Sequence, residues 1–498
     1  MFSKYLKYFF AFSFFGALTI SNSYANFDFN ANCVQAYESI LSLKLKRARV
    51  QIDQEKAVHP NNSITILLDN YYDYFWLLTT ENKADFDRLK NNKGPRLDKL
   101  EDEDKNSPYY NFCQAQVNLQ WALLHSRFGE NTTAGFEVNR AYRLLQSNAK
   151  KFPGFLPDDI PLGMVNILLG SLPDGALKSA LSFFGIKGNT ATGLNMLEQL
   201  TGKLPKSGYA FYYDELVFYL TYVQAYVIND SAAFAKMQQY TASIDSSSLL
   251  KTYIKAFVAI RTGHSTEAIA YLEHRPMGND YQPYPYLDYL LAIAKMNKLD
   301  TNADDYFRKY LNEYKGVNYI KDAYWHMAWY YLLQGDEHKY QSYVQLVKTK
   351  GYNYHDKDKQ ALAEASGPAP QPELLKARLL FDGGIYDKAL AILRDLNPAD
   401  LKQVQDKAEY YYRQGRIYEA MNKDEDALRS YQQTIAAGKG TASYYAPTAA
   451  LRIGGIYEGQ KNRAEAVHYY NMAIAFKNHQ YENSIEQKAK EGIKRLGF

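Results

Sequence analysis

The stretch "YYYRQGRIYEAMNKDEDALRSYQQTI", Tyr410 to Ile435, sets a pattern that the chain then repeats. Gly415 is followed by Tyr418, Ala427 and Tyr431, at three, twelve and sixteen residues' distance. In "LRIGGIYEGQKNRAEAVHYYNMAIAF", Leu451 to Phe476, Gly454 is followed by Tyr457, Ala466 and Tyr470 at the same offsets. Apolar residues return every three or four positions, so each stretch reads as two helices joined by a short turn. Small residues fall where the paired backbones must approach, and aromatics fill the gaps beside them. The pattern predicts antiparallel helical hairpins stacked one on the next.

This spacing resembles the tetratricopeptide repeat, a helix-turn-helix unit of ~34 residues. Fainter copies lie upstream. Ala256 pairs with Ala268 and Leu272, Leu291 with Ala303 and Phe307, Ala328 with Tyr340, and Ala377 with Ala389 and Leu393. The step from Ala328 to Ala377 is long and contains "GYNYHDKDKQALAEASGPAPQP", rich in Pro, Gly, Ala and charge, which reads as an insertion or linker. No segment shows the alternation of a strand. The expectation is an all-α helical-hairpin solenoid with a divergent N-terminal helical region. Its parts are a leader at 1–25, N-terminal helices at 26–205, degenerate repeats at 206–350, the insertion or linker at 351–372 and C-terminal repeats at 373–498.

Lys4 and Lys7 precede the apolar run Phe9 to Ile20, and "SNSYA" follows with small residues at Ser23 and Ala25. That order is a secretory signal, with cleavage expected after Ala25. The apolar run is short for a membrane span. A soluble periplasmic or extracellular protein is therefore expected. Among 498 residues there are 46 tyrosines against 25 phenylalanines, suited to half-exposed helix faces. The formal charge is +4, and losing Lys4 and Lys7 with the leader removes half of it. Lysines and acids are interspersed, so no basic stripe argues for nucleic acid or an anionic membrane. Export leaves two readings of the only cysteines, Cys33 and Cys113: a disulfide, or two thiols buried as small hydrophobes.

One stretch interrupts the helices: "LLGSLPDGALKSALSFFGIKGNTATGL", Leu168 to Leu194. A phosphate loop would need Gly-x-x-x-x-Gly-Lys-Ser/Thr between a strand and a helix. Here Gly202-Lys203 is followed by leucine and no strand precedes the glycines. Bends and close contacts between helices explain the glycines and prolines better. The wider region, about 152–200, resembles the one shared by tetratricopeptide repeat domain 39 proteins and fungal inclusion body clearance proteins. The matching residues are Gly163, Asn166, Leu168, Leu169, Ser171, Leu172, Pro173, Gly185, Lys187, Gly188, Gly193 and Leu194. Asp174, Ile186 and Asn189 depart from that pattern. The resemblance implies a helical-repeat architecture and transfers no catalytic residue.

Chemistry is not announced elsewhere. The nine histidines include no HExxH pair, and there is no G-x-S-x-G elbow. His355 beside Asp356 and Asp358 lacks further ligands and reads as a solvated loop rather than a metal site. No cofactor, no metal and no enzymatic activity are expected. The remaining candidate is the inner face of the solenoid. Projecting the first helix of each repeat inward gives Tyr253, Trp325, Trp329, Arg378, Tyr412, Arg416 and Glu419, with Trp325 and Trp329 open to a core reading as well. Trp, Tyr and Arg are frequent anchors of protein contacts. Leu374, Tyr412 and Leu451 stand where a clamp for C-terminal carboxylates needs lysines and asparagines. The expected function is a scaffold for a protein or peptide partner, with glycan binding on exposed aromatics as the alternative.

Overall fold

A computed structural model describes residues 26–171 and 188–497. The leader and most of the glycine-rich stretch, Leu172 to Lys187, lie outside the described residues. Among the described residues every regular element is helical, with no strand.

The N-terminal helices are α1 (Ala31–Leu41), α2 (Leu45–Val58), α3 (Ile64–Thr80), α4 (Lys83–Leu89), α5 (Lys93–Glu101), α6 (Pro108–Arg127) and α7 (Asn131–Lys151). They continue through α8 (Asp159–Gly170), α9 (Thr190–Lys203), α10 (Tyr213–Tyr222) and α11 (Ala233–Tyr240). Their ends follow ordinary capping chemistry. The Asn30 side chain accepts from the Cys33 amide at the start of α1, and Ser107 with Pro108 opens α6. Helices α8 and α9 cross where a Cβ on Gly193 would sit 2.4 Å from the Gly163 carbonyl oxygen. Close backbone approach is thus what these glycines provide, at the described end of the region read as a bend.

Six hairpins follow. They are α12 (Leu249–Arg261) with α13 (Ser265–Glu273), α14 (Tyr286–Met296) with α15 (Ala303–Glu313), and α16 (Ile320–Leu333) with α17 (Glu337–Thr349). After α18 (Asp356–Ala365) come α19 (Pro372–Asp382) with α20 (Tyr386–Asp395), and α21 (Val404–Ala420) with α22 (Asp424–Gly438). The last are α23 (Tyr445–Gly459) with α24 (Arg463–Ala475), closed by α25 (Glu482–Arg495). Each first helix packs on its partner and on the next first helix. The anchors behave as their spacing predicts: a Cβ on Gly415 would meet the Tyr431 ring at 2.6 Å, and one on Gly454 the Tyr470 ring at the same distance. The turns share a left-handed residue, at Gly263, Leu299, Gly335, Gly384, Asn422 and Lys461.

Of the two readings of residues 351–372, insertion or linker, the packing fits an insertion between repeats. The segment contains α18, whose Ala361 and Ala365 are buried against α16 and α17. Buried Asp358 accepts hydrogen bonds from the backbone amides of Tyr319 (2.6 Å), Lys321 (2.8 Å) and Asp322 (3.1 Å), so it caps the start of α16 from outside the repeat. The His355 ring instead meets the Tyr319 hydroxyl at 3.0 Å, and Asp356 pairs with Lys359 on the surface. The three side chains diverge, which removes them as a common ligand set.

The expected boundary at 205–206 has no counterpart in the packing. One large apolar core draws on residues from Phe27 to Leu379, with a small separate cluster of Ala259, Ala268 and Ala294 at the α12–α14 hairpins. From Leu374 onward the interior divides into small successive clusters. Cys33 and Cys113 are both buried and both free, which decides against the disulfide. Asn62 Nδ2 donates to the Cys33 sulfur at 3.5 Å, and burial raises both thiols, Cys33 to about 12, so they remain protonated apolar filling.

Candidate functional site

The first helices converge on a cavity of about 520 Å³, lined from α12, α14, α16, α18, α19 and α21. The helices curl round it in a partly open ring that brings two distant turns into contact. The turn between α19 and α20 touches the turn between α12 and α13: a Cβ on Gly384 would lie 1.8 Å from the Gly263 carbonyl oxygen. Only glycine at Gly384 admits that contact, and its φ of +78° is also one that glycine tolerates best.

Of the seven projected residues, Trp325, Trp329, Arg378 and Arg416 line this cavity. The tryptophans are only 2% and 3% exposed, so they form its wall while belonging to the core. Trp325 Nε1 donates to Glu364 at 2.8 Å, and the Arg378 guanidinium lies over the Trp329 ring at 4.8 Å. Glu364 stands 3.7 Å from Arg378 and also accepts from Gln360 at 2.8 Å. Burial alone would raise its carboxyl, but Arg378 and these donors hold it below the usual range, hence ionised.

The other three sit elsewhere. Tyr253 is buried one layer behind, against Phe257 and Tyr286, which do line the cavity. Buried Tyr412 accepts from Arg416 Nη1 at 3.2 Å. Burial pushes its phenol up, yet Arg416, Arg452 and Arg413 outweigh that and draw it below the ordinary value. Glu419 accepts from the Tyr431 hydroxyl at 2.5 Å and from Arg452 at 3.2 Å. The next repeat holds the same arrangement between Tyr470 and Glu458, so Glu419 serves the hairpin itself.

On the α14–α16 side, buried Asp322 accepts from the Tyr289 hydroxyl at 2.5 Å and faces His326 Nδ1 at 3.1 Å. Burial opposes its charge, but His326 and Tyr289 bring its carboxyl down to about 2. His355 is driven the other way, to about 4, by burial and by Arg127, and is neutral near pH 7.

Sequence reasoning missed Arg261, Lys357, Glu364, Tyr226 and Phe257, all on the cavity wall. Arg261 ends α12 just before the Gly263 turn, and the Ala361–Ala365 pair was the helical signal for α18. Tyr226 belongs to a π-helical turn, Val223–Ile228, which no periodicity marks.

Stacked hairpins with small-to-aromatic contacts define a tetratricopeptide-type helical-repeat protein. The tetratricopeptide repeat family model matches residues 409–437, the hairpin of α21 and α22. No curated protein matches the sequence. Among solved structures, the human IFIT1 dimer with m7Gppp-AAAA is similar at 12% identity, covering 94% of this chain and 90% of that one, with a TM-score of 0.30. The IFIT1 monomeric mutant with Gppp-AAAA matches at 12% identity over 92% and 95%, with a TM-score of 0.35. The APC/C hetero-tetramer Cut9-Hcn1 matches at 9% identity over 94% and 97%, with a TM-score of 0.28.

Proposed function

We propose that the chain is exported and acts as a non-catalytic scaffold that holds another protein along its inner face. The observation that carries this reading is the convergence of Trp325, Trp329, Arg378 and Arg416, from three first helices, on one cleft. A solenoid stabilised by neighbour contacts leaves such a face free for recognition. Kinship with the tetratricopeptide repeat domain 39 and inclusion body clearance proteins is part of the proposal, supported by the Gly163–Gly193 crossing. Nucleic acid is not the proposed partner, because the four cations of the cleft stand among three carboxylates rather than in a basic stripe.

Glycan binding has some support, since Asn229, Asn297 and Gln360 stand beside the aromatic wall. It is the weaker reading because guanidinium groups lie over Tyr226, Trp329 and Phe381, where sugar rings would stack.

The test is crosslinking capture in the native envelope, comparing wild type with Arg261→Glu plus Lys357→Glu. Both residues are exposed, so the pair leaves the core intact. One reproducible protein partner, lost in the variant, is the expected result. A partner that persists moves the interface off this cleft, and no partner at all ends the scaffold reading. Sequencing the exported chain checks the leader, with Asn26 expected at its start.

A further inference from the structure

Three arginines reach the cavity from three first helices: Arg261 from α12, Arg378 from α19 and Arg416 from α21. Each guanidinium lies over an aromatic ring, Arg261 over Tyr226 at 5.1 Å, Arg378 over Trp329 at 4.8 Å and Arg416 over Phe381 at 4.8 Å. A stacked guanidinium has one face covered and keeps its N–H donors in its own plane. Stacking also limits the side chain's freedom, so less entropy is lost when the fork engages an oxyanion.

Their partners are unequal. Arg378 has Glu364. Among the described residues, Arg416 has no carboxylate within ion-pair distance, and its Nη1 donates to the Tyr412 hydroxyl. Arg261 donates to the Asn229 side-chain oxygen at 3.2 Å and likewise has no carboxylate partner. Lys357 stands exposed on the wall at α18, without an ion pair among the described residues. Two further acids line the wall: Asp322, engaged by Tyr289 and His326 and within electrostatic reach of Lys357, and exposed Asp382, within reach of Arg378. Neither forms an ion pair with Arg416, Arg261 or Lys357 among the described residues. The space is also of ligand size, since small-molecule sites span roughly 300–1,000 Å³.

We infer that the cleft is a binding site for a small polyanion, whose carboxylate or phosphate oxygens are taken by the ring-stacked forks of Arg416 and Arg261, with Lys357 beside them. Planar forks suit both kinds of oxyanion. This site goes beyond the scaffold reading and does not depend on it.

Calorimetric titration of the full chain at low salt tests it, with citrate in one arm and inorganic pyrophosphate in the other. Saturable one-to-one binding of at least one is expected, weakening as salt is added. Arg416→Gln and Arg261→Gln should each weaken it about tenfold or more, as for a lost charged hydrogen bond. Arg429→Gln, exposed and paired with Asp426 on α22, should bind as wild type. Citrate alone marks a carboxylate ligand, pyrophosphate alone a phosphate ligand, and either result supports the site. Absence of saturable binding in both arms overturns it, as does wild-type affinity in both cleft variants or an equal loss in Arg429→Gln. Helical circular dichroism checks each variant, and exposed Arg261 keeps the test valid if Arg416→Gln fails to fold.

Discussion

Glu215 shows what the tyrosine richness does at single positions. Its carboxylate is buried and accepts from the hydroxyl of Tyr71 at 2.9 Å and from that of Tyr37, while Gln116 donates to Tyr71. Burial raises the Glu215 carboxyl to about 7, with the tyrosine donors opposing the rise. Asp358 is raised to about 7 as well, again by burial. An acid whose native value exceeds its unfolded value binds more protons when folded. Its contribution is full below about pH 4 and lost as pH climbs through 7. Stability should therefore fall between pH 5 and pH 8. Glu215→Gln keeps an acceptor without the charge and should flatten part of that fall, by about 2 kcal/mol, in denaturant titrations at the two pH values. A slope unchanged by the substitution would mean the carboxylate is not the source. Lys461 offers an opposite case, since its φ of +61° is unfavourable for a side-chain-bearing residue on an exposed turn. Lys461→Gly should raise stability by about 0.5 kcal/mol, the relief of that conformation less the extra entropy glycine loses. Thermal melts of the two proteins would show it.

Between elements, the contact that matters most for the cleft is the one between turns. Gly384→Ala would drive a methyl into the Gly263 carbonyl while also imposing a side chain on a left-handed backbone. A loss of about 2 kcal/mol or more is expected. Hydrogen exchange should rise at both turns, whereas Gly440→Ala, left-handed but in open space, carries only the conformational cost. Equal effects from the two would mean the ring is not held together there. This contact also marks where the sequence stops being legible. Gly415 and Gly454 announce their repeats because the small residue and its aromatic partner lie sixteen positions apart in one hairpin. Gly263 and Gly384 belong to hairpins that are not neighbours, and no local period links them. The same limit applies to the site. Trp325, Trp329, Arg378 and Arg416 could be projected inward from the repeat register alone. Tyr253 projects the same way but sits one layer back, because side-chain depth depends on neighbours that spacing does not describe. Lys357 and Glu364 were hidden by Pro, Gly and charge flanking α18, although the helix itself is short and Ala-rich.

For the molecule as a whole, the distribution of core decides how it comes apart. Most of the apolar interior between Phe27 and Leu379 belongs to one large cluster, in which Trp121, Tyr37, Tyr71 and Phe75 are fully buried together. Beyond it the clusters are small and sequential, centred on Leu380 and Leu393, on Tyr412 and Tyr431, and on Tyr470 and Ile485. Repeats held mainly by nearest neighbours unfold from an end, and a single shared core unfolds cooperatively. Hydrogen exchange should accordingly be fastest in α24 and α25, slower toward α19, and slowest in α3 and α6. Denaturant should resolve two transitions, the earlier belonging to the C-terminal repeats. Tyr470→Ala, which empties the space between Gly454 and Gly492, should move the earlier transition by about 3 kcal/mol and leave the later one in place. Trp121→Ala should do the reverse, lowering the later transition by about 4 kcal/mol. If either substitution shifts both transitions together, the two regions fold as one unit. The cleft would then be a property of that unit rather than of a boundary between a rigid body and a softer array. With two transitions, α21, which supplies Arg416, sits on the softer side of the cleft, while α19 straddles the boundary, with Leu375 and Leu379 in the large core and Leu374, Ala377 and Leu380 in the first small cluster. Ligand that bridges Arg416 to Arg261 would then raise the earlier midpoint selectively, as binding to the native state alone requires.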